Sequence, residues 1–461
     1  MPIIKVGRRK GNVTEHVKSK WGYRHVILII IWMLYVVNFL DRMSVLTFLP
    51  YIQKDLQLSV VQTGWLASIF FFGYACAQFI AGPLADKIGP KKTMTCAIWV
   101  FTVVTGLTGF VRTFWQFFIL RLGLALGEGQ HLAPALRMVA NWFPREEKAR
   151  ATGFFSTSWT VAYVISPIVA TQIAATFFGG AWRPVFFLLC IPGTVGIFCL
   201  WKFANDSPKV MHEKGKVSDE EYQLISNSVQ GVSVQDKKYS SRLFLTDIPF
   251  YLYSLGMFLY MMINWGLNVW LTTFLVRQHG FNLKTMGFLA ALPFAVAFVA
   301  NLIGGAMADS KFLRGRARFL TAFCFLAVIP AFLMIGHAAK GQNSLLILGL
   351  ALEGFFFNMP YAVVYSFPAL RYPKEVVGRV IGFSNGIAQF GGFLSPIIAS
   401  YLVIERVDKS YYFGNVFLFW TCLAVVAMIA FAFSIEKPMG DVSKFEIKTA
   451  HALQTAAASS N

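Results

Sequence analysis

Gly82-Pro83-Leu84-Ala85-Asp86, closing a stretch (56–85) with no acidic or basic residue before Asp86, returns as Gly305-Ala306-Met307-Ala308-Asp309, 223 residues further on. Each copy ends a long apolar run. Each is followed by a basic cluster, Lys87, Lys91 and Lys92 after the first and Arg314, Arg316 and Arg318 after the second. Leu122-Gly123-Leu124-Ala125-Leu126 recurs as Leu348-Gly349-Leu350-Ala351-Leu352, and Pro134 as Pro360, both at an offset of 226. Arg150, Gly153, Ser166 and Pro167 match Arg379, Gly382, Ser395 and Pro396 at 229, so a slip of a few residues per loop accounts for the drift. A long repeat of this kind means two similar halves in parallel topology.

The composition says what surrounds those halves. Of 461 residues, 56% are AVILMFWYC and 14% are charged, against about 25% charged in soluble domains. With 46 Phe and 12 Trp the apolar surface is more than one interior hides, so lipid is the solvent for much of it. The runs 56–85, 93–111, 151–182, 184–201, 248–276, 285–308, 319–339, 380–404 and 411–435 lack Asp, Glu, Lys and Arg. Each is long enough to cross a bilayer, which takes about 20 residues. Three more segments, 25–50, 114–140 and 343–370, are as apolar except for one to three ionisable residues near the middle, and they bring the expected spans to twelve. The run 151–182 reads as one span, a loop at Gly179-Gly180 and the entry to the next. The expectation is an all-α membrane protein, with twelve transmembrane helices in two six-helix bundles. A β-barrel is excluded, because its strands alternate over about ten residues.

The net charge of +19 is topological. With the N-terminus inside, 30 of the 41 Lys and Arg fall on inner segments, eight on outer ones, and three (Arg42, Arg121, Arg137) within spans. That is the positive-inside pattern with both termini cytoplasmic, and it speaks against a nucleic-acid partner. Arg8-Arg9-Lys10 reads as an orientation and anionic-lipid signal, since no cleavable leader follows. The expected division is a tail (1–24), a bundle (25–202), a polar flexible cytoplasmic connector (203–245), a second bundle (246–435) and a tail (436–461). All six Cys fall within apolar spans without metal or disulfide spacing. No metal, cofactor or catalytic constellation is expected, and the protein is read as a monomeric transporter, not an enzyme.

The segment Gly82-x-Leu84-Ala85-Asp86-Lys87-x-Gly89-x-Lys91-Lys92 resembles the loop signature of the major facilitator superfamily. The resemblance implies that the Asp caps a neighbouring helix end and that the basic residues pair across the cytoplasmic surface. On that basis Gly82, Asp86, Lys87, Gly89, Lys91, Lys92 and the repeat-related Asp309 are expected to gate. Leu40-Asp41-Arg42, Arg121-x6-Glu128 with Pro134 and Trp142-Phe143-Pro144, and Trp182-Arg183 resemble the anion:cation symporter branch, whose members import sugar acids or other small carboxylates. Gly129-Gln130-His131 departs from that branch, where small apolar residues follow the Glu.

Charges inside a bilayer are expensive, so the few here become the candidates for function. Arg42 is the leading anion site, because a guanidinium keeps its charge when desolvated and its fork matches a carboxylate. The alternative is a permanent pair with Asp41 or Glu128. Asp41 points about 100° away from its neighbour on a helix. It is a candidate proton carrier, since burial favours a neutral carboxyl and a nearby guanidinium favours a charged one; a static gate or helix cap is the alternative. Arg121 and Glu128 share one helix face, with His131 near the same stripe, a line able to relay protons. Arg121 as a structural partner of Glu128, and His131 as cavity wall, remain open alternatives.

Polar residues complete the expected cavity. Tyr74 and Gln78 are one turn apart, as are Asn264 and Asn268 beside Trp265, and Asn38 lies between Asp41 and Arg42 on the helical wheel. Sugar hydroxyls need such donors and acceptors with an aromatic face for the ring. Asn385 and Gln389 match positions where the resembled family keeps a substrate-binding Asn. The expected function is import of a small organic anion, a hexonate such as galactonate or a hexuronate, by proton symport with alternating access in a bacterial inner membrane. A phosphate or organophosphate exchanger, or a drug:proton antiporter of the same fold, is the alternative.

Overall fold

A chain dissolved in lipid has to satisfy its backbone polar groups within each segment, and helices do so. The computed structural model describes residues 21–230, 239–308, 316–407, 410–440 and 442–446. The first series is α1 (Tyr23–Asp55), α2 (Val60–Ile88), α3 (Pro90–Thr108), the consecutive α4 (Phe114–Gly129) and α5 (Leu132–Trp142), α6 (Arg145–Phe177) and α7 (Arg183–Phe203). Short helices α8 (Pro208–Glu213), α9 (Asp219–Gln230) and α10 (Arg242–Leu245) follow. The second series is α11 (Ile248–Arg277), α12 (Leu283–Ala308), α13 (Ala317–His337), the consecutive α14 (Asn343–Asn358) and α15 (Tyr361–Arg371), α16 (Lys374–Leu402) and α17 (Gly414–Phe433). The two series run in the same order, each with its fourth helix broken into a pair. Nine segments among the described residues are long and apolar enough to cross a membrane. The other three expected positions are held by α3, the α4–α5 pair and α16. Phe79, Phe177 and Phe433 turn most of their surface outward, as lipid-facing residues do.

Local sequence fixes the joints. Ser59 accepts from the Gln62 backbone N–H at 3.1 Å while Gln62 accepts from the Ser59 N–H at 2.9 Å, a reciprocal cap that starts α2. Gly89, at φ +90°, joins α2 to α3, and Pro90 then opens α3. The start of α3 is capped by Asp206, whose Oδ1 accepts from the Lys91 N–H at 2.6 Å. Asp86 instead pairs with Arg137 of α5. Capping of the α3 start thus falls to a residue 120 positions beyond Asp86 in sequence. Asp309 lies outside the described residues.

Over its described residues, 203–230 and 239–245, the connector differs from the flexible linker expected. Met211, Val217 and Ile225 are buried, and Glu221 of α9 accepts from the backbone N–H groups of Tyr23 at 2.9 Å and Arg24 at 3.0 Å. The first turn of a helix has orphan donors and a positive dipole end, and a carboxylate satisfies both. Arg24 also pairs with Glu147 at 2.9 Å. At the same end of the second half, Arg371 donates to both oxygens of Asp247 at 2.6 Å and Tyr372 donates to Asp247 at 2.5 Å. Burial, reinforced by that carboxylate, pushes the Tyr372 phenol up. The last span is shorter than expected. Ile404–Glu405 (β1) pairs with Tyr411–Tyr412 (β2) in an antiparallel hairpin, and helix resumes at Gly414.

The halves meet at the end away from Tyr23. A Cβ on Gly64 of α2 would lie 2.7 Å from the Ser400 Cβ of α16, and one on Gly287 of α12 would lie 2.9 Å from the Pro167 carbonyl of α6. Only glycine allows this approach. Thr272 donates to the Leu46 carbonyl at 2.7 Å and Gln53 to the Tyr411 hydroxyl at 3.0 Å across the same end. At the opposite end the same four helices stand apart, for a Cβ on Gly82, Gly153, Gly305 or Gly382 would meet nothing within 4 Å. Between the two levels the halves touch through aromatic rings. Tyr163 stacks on Phe294 with centroids 4.8 Å apart, and Phe71 meets Trp265 at 4.5 Å.

Candidate functional site

Between the halves lies a cavity of about 180 Å³. Arg42, Tyr74, Gln78, Asn264, Trp265, Asn385 and Gln389 all border it. Residues from four helices of the two halves, expected separately from sequence, thus converge on one space. The cavity is further walled by aromatic residues that sequence reasoning missed, Trp159 and Tyr163 of α6 and Tyr361 and Tyr365 of α15, and by Asn301 of α12 and Asn358 of α14. The two aromatic pairs have the one-turn spacing of Tyr74 and Gln78, and that spacing within apolar runs was the signal available. Asn38 and Asn268 do not border this cavity. Asn38 is fully buried with both amide atoms unpartnered, and Asn268 donates to the Asn264 carbonyl at 2.6 Å.

Arg42 is the cation at the wall. Its guanidinium sits 4.4 Å from the Phe39 and Tyr74 ring centroids, 4.7 Å from Phe70 and 5.8 Å from Trp265. Aromatic faces stabilise a desolvated cation, so this box holds the head group at the cavity edge. Behind it stands Glu128, whose Oε2 accepts from Arg42 Nε at 2.8 Å and lies 2.8 Å from Nη2, while Oε1 has no partner. The residue Glu128 pairs with is therefore Arg42 of α1, and not Arg121 on its own helix. Arg121 also lies over the Phe70 ring, at 4.6 Å, with Nε 3.5 Å from the Leu66 carbonyl and both terminal nitrogens unpartnered. One ring is thus shared by two guanidinium groups.

Asp41, about 100° round α1 from Arg42, turns toward α3 and α7. Thr105 of α3 and Cys190 of α7 are its neighbours, and Glu128 is near enough to act on it electrostatically. His131 is not on a continuous helix with Glu128. The helix breaks at Gln130, where the α4 carbonyls are met by turn-type donors (Gln130 N–H to Gly127 at 3.2 Å, His131 N–H to Glu128 at 3.1 Å). The His131 ring is wedged between Tyr35 (5.4 Å) and Phe101 (6.1 Å), with both nitrogens unpartnered. No hydrogen bond among the described residues links it to Glu128. Two guanidinium groups and two carboxyl groups therefore lie in one dry region, with a formal sum of zero. No group of three or more His, Cys, Asp or Glu among the described residues has metal-binding geometry.

A family model described as Major Facilitator Superfamily matches residues 31–396 and 254–458. A protein of Cupriavidus necator named "Probable sulfoacetate transporter" is 27% identical over 407 residues, 85% of this chain and 90% of that one. A protein of Escherichia coli K12 named "Probable galactarate/D-glucarate transporter" is 26% identical over 446 residues, 92% of this chain and 96% of the relative. Among solved structures, an inward-facing, unoccupied bacterial homolog of the human lysosomal transporter Spinster superposes with a TM-score of 0.72 at 17% identity, covering 94% of this chain and all of that one.

Proposed function

The chain belongs to the Major Facilitator Superfamily, and from that premise we propose that it carries a small organic anion, a sugar acid of the hexonate or hexuronate type, into the cell together with protons. The observation that carries this reading is Arg42 at the cavity wall with Glu128 as its partner. It is a multi-pass integral membrane protein. In this reading twelve spans form two six-helix halves, with both termini cytoplasmic, in a bacterial inner membrane, and the monomer is the working unit. Gly82, Asp86, Lys87, Gly89, Lys91, Lys92 and Asp309 belong to the inner gate.

A solute carboxylate entering the cavity competes with Glu128 for Arg42. If it wins, Glu128 is left as an unpaired buried charge, which costs several kcal/mol. Taking up a proton removes that cost, so the arrival of the anion and the protonation of Glu128 favour each other. The four charged groups sum to zero only while both carboxyls are ionised, and each proton that enters on Asp41 or Glu128 offsets one negative charge brought by the solute. Arg42 is the one basic side chain among the described residues lining the cavity, which favours a single carboxylate at that end. Six amides (Gln78, Asn264, Asn301, Asn358, Asn385 and Gln389) offer both donors and acceptors to hydroxyl groups elsewhere.

The test is initial-rate uptake of labelled D-galactonate into proteoliposomes, with and without an imposed pH gradient, against inorganic phosphate and a lipophilic cation. Gradient-stimulated uptake of the acid is expected. Phosphate exchange, or extrusion of the cation, in its place would overturn the reading.

A further inference from the structure

Beyond the charged cluster of the first half, the second half carries a buried acid within one of its long apolar segments. Glu353, in the middle of α14, is 2% exposed, and its Oε2 has no partner. It lines a small cavity of about 10 Å³, the room of one water-sized sphere. Asn268 lines the same space, is 6% exposed, and its Oδ1 is likewise unpartnered, since its amide nitrogen is spent on the Asn264 carbonyl. Two buried acceptors therefore face one space. No Lys, Arg or His is among the lining residues. The Tyr260 phenol of α11 is close enough to interact with it electrostatically. The helices packed on α14 bring few others: Lys284 in the first turn of α12, and on α13 Arg318 and His337 at the ends with Cys324 between. Tyr361 and Tyr365 of α15 border the central cavity.

Glu128 has its counter-charge in Arg42; Glu353 has no such ion-pair partner among the described residues. A buried carboxylate facing a second acceptor needs a donor or a cation between them. We infer that Glu353 and Asn268 form a site for one unit of positive charge, either a proton that the Glu353 carboxyl donates to the Asn268 amide oxygen or an alkali cation held by both oxygens. Asn264, Phe294 and Asn358 line this space and the central cavity alike, so its occupancy bears on the wall that meets the solute. That link to cargo rests on the transport reading, whereas the site itself does not.

The experiment uses the full chain in lipid nanodiscs and no transported solute, so its outcome is independent of whether sugar acids are carried. The thermal unfolding midpoint is followed across a pH series, each in sodium chloride and in choline chloride of equal ionic strength. The wild type is expected to respond on one axis, falling as pH rises if the charge is a proton, or rising with sodium at fixed pH if it is an alkali ion. Glu353→Gln, whose amide needs no counter-charge, should lose that component of the response, and Asn268→Ala, which keeps the acid, should reduce it. The inference is overturned if Glu353→Gln and Asn268→Ala respond to pH and sodium as the wild type does, or if the wild type responds to neither.

Discussion

Arg42 and Glu128 meet through a single carboxylate oxygen, with Nε and Nη2 both 2.8 Å from Oε2. A guanidinium has five N–H donors in a planar fork. One edge is engaged by Glu128, and the other remains for a second anion. The ion pair is therefore a partly filled clamp, which a solute carboxylate can join before it displaces the resident acid.

Arg42→Lys keeps the charge and removes the fork. Half-saturation for D-galactonate uptake should rise by about 10- to 100-fold, on the order of 1.4 to 3 kcal/mol. An unchanged half-saturation would put the clamp elsewhere.

Glu128→Gln makes permanent the neutral state that solute binding favours. Exchange of labelled for unlabelled D-galactonate should persist, while accumulation driven by a pH gradient should fall to equilibration. Asp41→Asn should give the same split from a different face of α1. Wild-type accumulation in both variants would remove them as proton carriers.

Gly64→Leu intrudes where a Cβ alone would already lie 2.7 Å from Ser400. The outer contact should no longer close, so spin labels on the outer ends of α2 and α16 should report a longer distance and uptake should drop. Labels at the wild-type distance would contradict this. Gly82→Leu, by contrast, should leave the outer distance unchanged.

Arg371→Leu removes the counter-charge of Asp247, which is 7% exposed, and leaves it only the Tyr372 hydroxyl described above. Leaving a buried charge uncompensated costs about 3 to 5 kcal/mol, so the unfolding midpoint should fall by several degrees. Lys374→Ala, whose contact with Glu375 is 4.0 Å long and exposed, should change it little. Equal effects of the two substitutions would refute the assignment.

How much of this was legible in the sequence follows the range of the interactions. The spans and the repeat were readable because hydropathy and self-similarity are local or periodic. The divergence of Asp41 from Arg42 was readable from the helical turn alone. The partner of Glu128 was not, since choosing Arg42 over Arg121 depends on how α1 packs beside α4. The break at Gln130 falls in the polar run Glu128-Gly129-Gln130-His131, which helical spacing reads as one functional stripe and not as the end of a helix. The connector misled for a related reason: polar composition masks the few apolar positions, Met211, Val217 and Ile225, that dock it.

The ring contacts between the halves, Tyr163 on Phe294 and Phe71 on Trp265, join them at mid-depth with no ion pair of their own. Flat apolar faces can slip past one another without stranding a donor, an acceptor or a charge. The molecule thus has a greased bearing at its waist, and the energetic cost of reorienting is concentrated at the outer rim, where hydrogen bonds join the halves.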